Sequence, residues 1–162
     1  MKKLFYMLLA LPLFFFASCN DDDNDLPDFK VKVDISGQSE VTEDGVIVIP
    51  SGNQFSIDAV SIVESDAKEI AIGGVSYYWD YVLLDASNII PPYGITLNTA
   101  GISEGDHILQ IYMPIFAVGY SPAEALLTYK VKIVEPVADE TPDDSGTATT
   151  TTITASPKVT QK

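Results

Sequence analysis

Residues 27–135 of this 162-residue chain predict an all-β fold, an antiparallel β-sandwich of about seven or eight strands. Three observations lead there. Apolar and polar residues alternate along several short segments, Gly, Pro, Asn and Asp punctuate the gaps between them, and no segment has the periodicity of a convincing amphipathic helix. Residues 122–127 offer at most one helical turn. A domain of this size buries some 60–70% of its unfolded surface, roughly enough to fold without disulfides.

The first strand is predicted over residues 29–35, with Phe29, Val31, Val33 and Ile35 on one face and Lys30, Lys32 and Asp34 on the other. Residues 46–49 form the next strand and end at the turn Pro50-Ser51-Gly52-Asn53. In the run 54–63 the apolar residues change face, from Phe55, Ile57 and Ala59 to Val60 and Ile62, which predicts a bulge or bend near Ala59. Val75, Tyr77 and Trp79 alternate with Ser76, Tyr78 and Asp80, and a short apolar strand at 82–84 returns after a tight turn.

After Pro91-Pro92, Tyr93, Ile95 and Leu97 share a face. His107, Leu109, Ile111 and Met113 oppose Ile108, Gln110 and Tyr112, and residues 113–122 are read as an extended apolar loop. Leu127, Tyr129, Val131 and Ile133 form the last strand, opposed by Thr128, Lys130 and Lys132. The lysine pairs on the first and last strands are read as guards on sheet edges.

The two ends read differently. Residues 1–18 form a secretory signal, with Lys2 and Lys3 ahead of an apolar run at 4–16. At 1.5 Å per residue that run is about 20 Å long, short of the roughly 30 Å needed to span a bilayer core. Residues 19–26 form an acidic tether, its charges repelling one another. It is no EF-hand, since Asp21-Asp22-Asp23-Asn24-Asp25 lacks the turn Gly and distal Glu. Residues 136–162, rich in Thr, Ser, Pro and Asp, predict a disordered tail without enough apolar surface to offset ordering.

Phe16-Ala17-Ser18-Cys19 resembles a bacterial lipobox, with Phe16 where Leu is commonest. The resemblance implies that Cys19, the one cysteine, is lipidated and becomes the mature N-terminus, with acyl chains enough for stable anchoring. The run after it, Asp21, Asp22 and Asp23 above all, resembles the acidic export signal of surface lipoproteins in a large group of Gram-negative bacteria. That likeness implies an outer-membrane protein exposed on the cell surface.

Gly52-x-x-Phe55-x-Ile57-x-Ala59, Asp66, Ile70, Val75-x-Tyr77-Tyr78-Trp79-Asp80, Pro92-Tyr93-x-Ile95-x-Leu97-Asn98-Thr99 and Ser103-Glu104-Gly105-Asp106-His107-x-Leu109 together resemble a bacterial immunoglobulin-like domain over residues 46–113. Three features depart from that pattern: Tyr81 at the usual turn Gly, a long connection from Ile70 to Val75, and the apolar loop after Met113. The resemblance implies a spacer, adhesion or accessory module and supplies no catalytic residue.

The chemistry of the residues agrees. A charge of −14, with all nine basic residues Lys and no Arg, argues against nucleic acid as a partner. His107, the single histidine, is expected to hydrogen-bond backbone at a strand start and not to bind metal or act in a triad. Asp80, Asp85, Glu104 and Asp106 fall at predicted turns, where Asp commonly bonds backbone; no nucleophile elbow or phosphate loop occurs. No cofactor, metal or catalytic residue is expected.

The remaining candidates are aromatic. Trp79 reads as a core ring, whereas Tyr78 and Tyr112 point outward on neighbouring strands and, with Phe116 and Tyr120, suggest an exposed ligand-binding patch. The expected function is a non-catalytic, lipid-anchored adhesion or binding module for a glycan or surface protein. The alternatives are a polysaccharide-binding accessory protein of a glycan-uptake system and a structural spacer without ligand.

Overall fold

Side chains that alternate in sequence bury one face of the longer strands against a shared core, and twelve strands are present in a computed structural model that describes residues 25–136 and 150–161. They are β1 (Phe29–Ser36), β2 (Glu40–Val41), β3 (Ile47–Pro50), β4 (Gln54–Ser65), β5 (Ile70–Ile72) and β6 (Val75–Trp79). The chain continues through β7 (Val82–Asn88), β8 (Ile95–Asn98), β9 (Gly105–Ala117), β10 (Ala123–Val134), β11 (Thr151–Ala155) and β12 (Lys158–Gln161). One sheet has the order β11-β1-β4-β8. The other runs β2-β3-β10-β9-β6-β7, with β12 also on β10 and β5 also on β9. The fold is an all-β sandwich in which the β3–β10 pair alone is parallel among the described pairings.

The core follows the predicted alternation. Phe29, Val31, Val33 and Ile35 of β1 meet Val75, Tyr77 and Trp79 of β6, Leu109, Ile111, Met113 and Ile115 of β9, and the inward face of β10. Burying such side chains contributes roughly 1.5–3 kcal/mol each, so these strands form the hydrophobic centre of the fold. The face change in β4 is real: Asp34 pairs with Ala59 but Ile35 with Ile57, and this bulge turns Val60 inward beside Ile57.

Five expectations need correction. The strand count rises from seven or eight to twelve because β2, β5, β11 and β12, each of two to five residues, are too short to announce themselves. The lysine pairs do not guard edges: β1 lies between β11 and β4, and β10 between β9 and the β3 and β12 strands. Lys30, Lys130 and Lys132 face solvent from strands paired on both sides.

Residues 113–117 are no loop. Met113 and Ile115 are fully buried in β9, and the true connection to β10 begins at Val118. Pro114 is tolerated because it faces the Gly73-Gly74 break between β5 and β6, where Gly73 N–H donates to its carbonyl at 2.9 Å. The single helical turn expected at 122–127 is instead the start of β10. Within the tail expected to be disordered, residues 150–161 form β11 and β12, because they add to strands whose neighbours already exist and need little apolar surface of their own; residues 137–149 lie outside the described residues.

Candidate functional site

Tyr78 and Tyr112 stand on the outward face of β6 and β9, as their positions opposite Gln110 and Ser76 require. Both are partly buried, and Leu83 and Leu126 flank them on β7 and β10. Phe116 lies further along the same face of β9, about half exposed, opposite Ala71. A side chain at Gly73 would collide with its ring, so the glycine provides the floor on which Phe116 rests. A recess of about 530 Å³ beside it is lined by Glu69, Ile70, Ala71, Phe116, Ala117 and Val118. Tyr120 is not part of that lining; it is partly buried in the loop, where its N–H donates to Ala117 O at 3.2 Å. The fold therefore places Tyr78, Tyr112 and Phe116 on one face and leaves Tyr120 at its end.

The largest cluster of exposed apolar residues lies elsewhere. Among the described residues the exposed large apolar side chains concentrate at Tyr81, Val82, Leu83, Leu84, Ile89 and Ile90. All belong to β7 or its flanks, and β7 is the last strand of its sheet. One side of its backbone is paired with β6 and the other has no described strand beside it. The run at 82–84 predicts only a short returning strand. The overlooked signal was an unbroken apolar run, because an edge strand with one face in water normally alternates and carries Lys or Pro.

At the C-terminal end of β6 the chain turns through Asp80 (φ 49°) and Tyr81 (φ 67°), two left-handed residues that make a type I′ hairpin between Trp79 and Val82. Asp80 is held there by its carboxylate: Oδ1 accepts from Ile108 N–H at 2.9 Å and Oδ2 lies 2.6 Å from His107 Nδ1. His107 Nε2 lies 2.8 Å from Ser103 O, and the ring packs on Trp79 with centroids 5.2 Å apart.

Burial alone would lower the His107 pKa, but the Asp80 and Ser103 acceptors and the charges of Asp80 and Asp106 raise it overall. Partial burial pushes Asp80 up, yet hydrogen bonds from His107 and Ile108 bring it below the usual carboxylate value. With both ring nitrogens engaged, the imidazole is a brace between two turns. A recess of about 530 Å³ lined by Val46, Asp80, Asp106, His107, Ile108, Lys130 and Val131 lies beside it. Among the described residues no group of three or more His, Cys, Asp or Glu is placed to hold a metal ion.

Cys19, Asp21, Asp22 and Asp23 lie outside the described residues. No protein-family model matches the chain, and no curated protein matches it.

Proposed function

We propose that this protein is a surface lipoprotein whose immunoglobulin-like sandwich binds a protein partner without catalysis, as an adhesion or binding module. The lipobox at Cys19 and the acidic residues Asp21, Asp22 and Asp23 support the address. The topology supports the immunoglobulin-like reading: β1 joins one sheet, β3 crosses to run parallel with the late strand β10, and β9, β6 and β7 follow in order.

The observation that carries the binding role is the apolar edge at β7. Aliphatic side chains such as Val82, Leu84, Ile89 and Ile90 exclude water against another apolar surface, and the β7 backbone, with no described strand on its outer side, accepts an extended chain. Saccharide faces call for several flat exposed rings with polar groups around them; Tyr78 and Tyr112 are both partly buried, and at the edge Tyr81 is a single exposed ring among the aliphatic Val82, Leu83, Leu84, Ile89 and Ile90. The edge thus favours a protein partner over polysaccharide.

A photo-crosslinking residue at position 83 or 90 of the full-length protein, displayed on intact cells, should give a discrete protein adduct. The same residue in place of exposed Lys68 should not, and Leu84→Glu should abolish the adduct. Binding on a glycan array with no adduct from positions 83 or 90 would replace this reading with the glycan-uptake alternative.

A further inference from the structure

One side of β1 is paired along its length with β4, and the other is covered by β11, with Val31 to Ile35 opposite Ala155 to Thr151. After Ser156 and Pro157 the chain reaches the other sheet, where β12 pairs with Ala123 to Leu126 of β10. Residues 150–161 therefore act as a strap that adds one strand to each sheet. Its grip is mainly backbone. Among its side chains Ile153 and Ala155 pack on the core, each only partly buried, and none is fully buried. Two side-chain contacts fix the register of β11: Gln38 Nε2 donates to Thr151 Oγ1 at 2.6 Å, and Thr152 Oγ1 donates to Asp34 Oδ1 at 2.6 Å. Lifting the strap removes only the partly buried Ile153 and Ala155 from the core and leaves two strand edges unpaired, a template for another extended segment.

We propose that copies of this chain exchange the strap: the seat made by β1 and the first residues of β10 takes residues 150–161 of a second molecule. The strap's place in its own chain shows that the seat is complementary to this occupant. The same segment from another copy would make the same ladder and the same two polar contacts, so the two arrangements differ only in chain connectivity.

Connectivity allows both. Residues 135–150 join β10 to the strap, and sixteen residues reach at most about 55 Å. A tethered strap has an effective concentration on the order of millimolar at its own seat. Self-seating therefore dominates in dilute solution, and exchange gains where copies crowd together, as a shared lipid surface would make them.

Two versions of the full-length chain test this, each with Cys19→Ser so that no native thiol interferes. One carries Lys32→Cys and the other Thr154→Cys, at cross-strand partner positions. Unfolded, mixed and refolded together at high concentration under mild oxidation, they should yield a mixed disulfide of twice the monomer mass. Its yield should stand well above that of a control mixture of Lys68→Cys with Thr154→Cys, since Lys68 is exposed between β4 and β5. Both cysteines on one chain should close within that chain in dilute solution, which reports that the strap seats and the fold survives. Leu126→Cys with Lys158→Cys repeats the test on the β10 side. Closure within single chains, with mixed disulfides no higher than the control for both pairs, would overturn the exchange.

Discussion

His107 Nδ1 lies 2.6 Å from Asp80 Oδ2, and that contact ties the start of β9 to the β6–β7 turn. The His107 side chain is only 8% exposed, whereas that of Asp80 is 46% exposed. The pair is therefore screened on one side and shielded on the other.

Its pH dependence follows from the two shifts. His107 has a raised pKa in the fold, so its contribution is fully present below about pH 6.5 and is lost as pH rises through the raised value. Asp80 has a lowered pKa, so its contribution is present above about pH 3.8 and is lost as pH falls through the depressed value. Urea unfolding across pH should show stability falling on the alkaline side above 6.5, and His107→Gln should flatten that limb. At neutral pH, Asp80→Ala should cost roughly 1.5–3 kcal/mol, toward the low end because solvent screens the half-exposed carboxylate.

Tyr81 holds a left-handed backbone conformation that a bulky side chain rarely adopts, and its ring is 71% exposed. Tyr81→Gly removes that strain and loses little packing. It should stabilise the protein by about 1 kcal/mol, read as a rise in the thermal midpoint.

Two core tyrosines should respond in opposite ways to loss of the hydroxyl. Tyr77 OH donates to Tyr93 O in the core, and burial raises its pKa. Tyr77→Phe leaves that carbonyl unpaired and should cost roughly 1–3 kcal/mol. Tyr129 OH is buried with no hydrogen-bond partner among the described residues, and burial pushes its pKa up to about 12. Tyr129→Phe should be neutral or stabilising by about 1 kcal/mol. Chemical denaturation of both variants checks the contrast.

Trp79 faces the core beside Val75 and Tyr77, and Tyr78 faces outward. Trp79→Ala should cost roughly 3–5 kcal/mol. Tyr78→Ala should cost under about 1 kcal/mol, as expected for a surface position. Equal losses at both positions would contradict the assignment of faces.

The inward faces of β1, β6, β9 and β10 were legible because each alternates cleanly, and Phe29, Tyr77, Ile111 and Val131 are buried as that pattern requires. The bulge in β4 was legible for the same reason, since Val60 breaks the parity of Phe55 and Ile57. Pairing was harder to read. Nothing local in Val48 or Lys132 reports that they lie side by side in parallel, because that contact depends on the whole chain's path.

The strap was missed for a related reason. Thr152, Ile153 and Thr154 alternate over too few residues to fold alone, and it is the waiting edge of β1 that orders them. The outward direction of Tyr78 and Tyr112 was readable from parity. The exposure of Ile89 and Ile90 was not, because an apolar pair in sequence looks the same whether it lies in a core or on a rim.

The Gln161 side-chain amide bonds the Asp25 carboxylate and Leu26 N–H, so the end of β12 and the entry to β1 meet at one pole. The Asp80–His107 brace lies at the other, where β6 ends and β9 begins. Tension entering along β7 and leaving through Asp25 would pull the strands lengthwise. The β1–β4 ladder would then resist in shear, with many backbone bonds loaded together instead of peeled one at a time. For a domain held at its base and gripped along its rim, that geometry favours mechanical toughness.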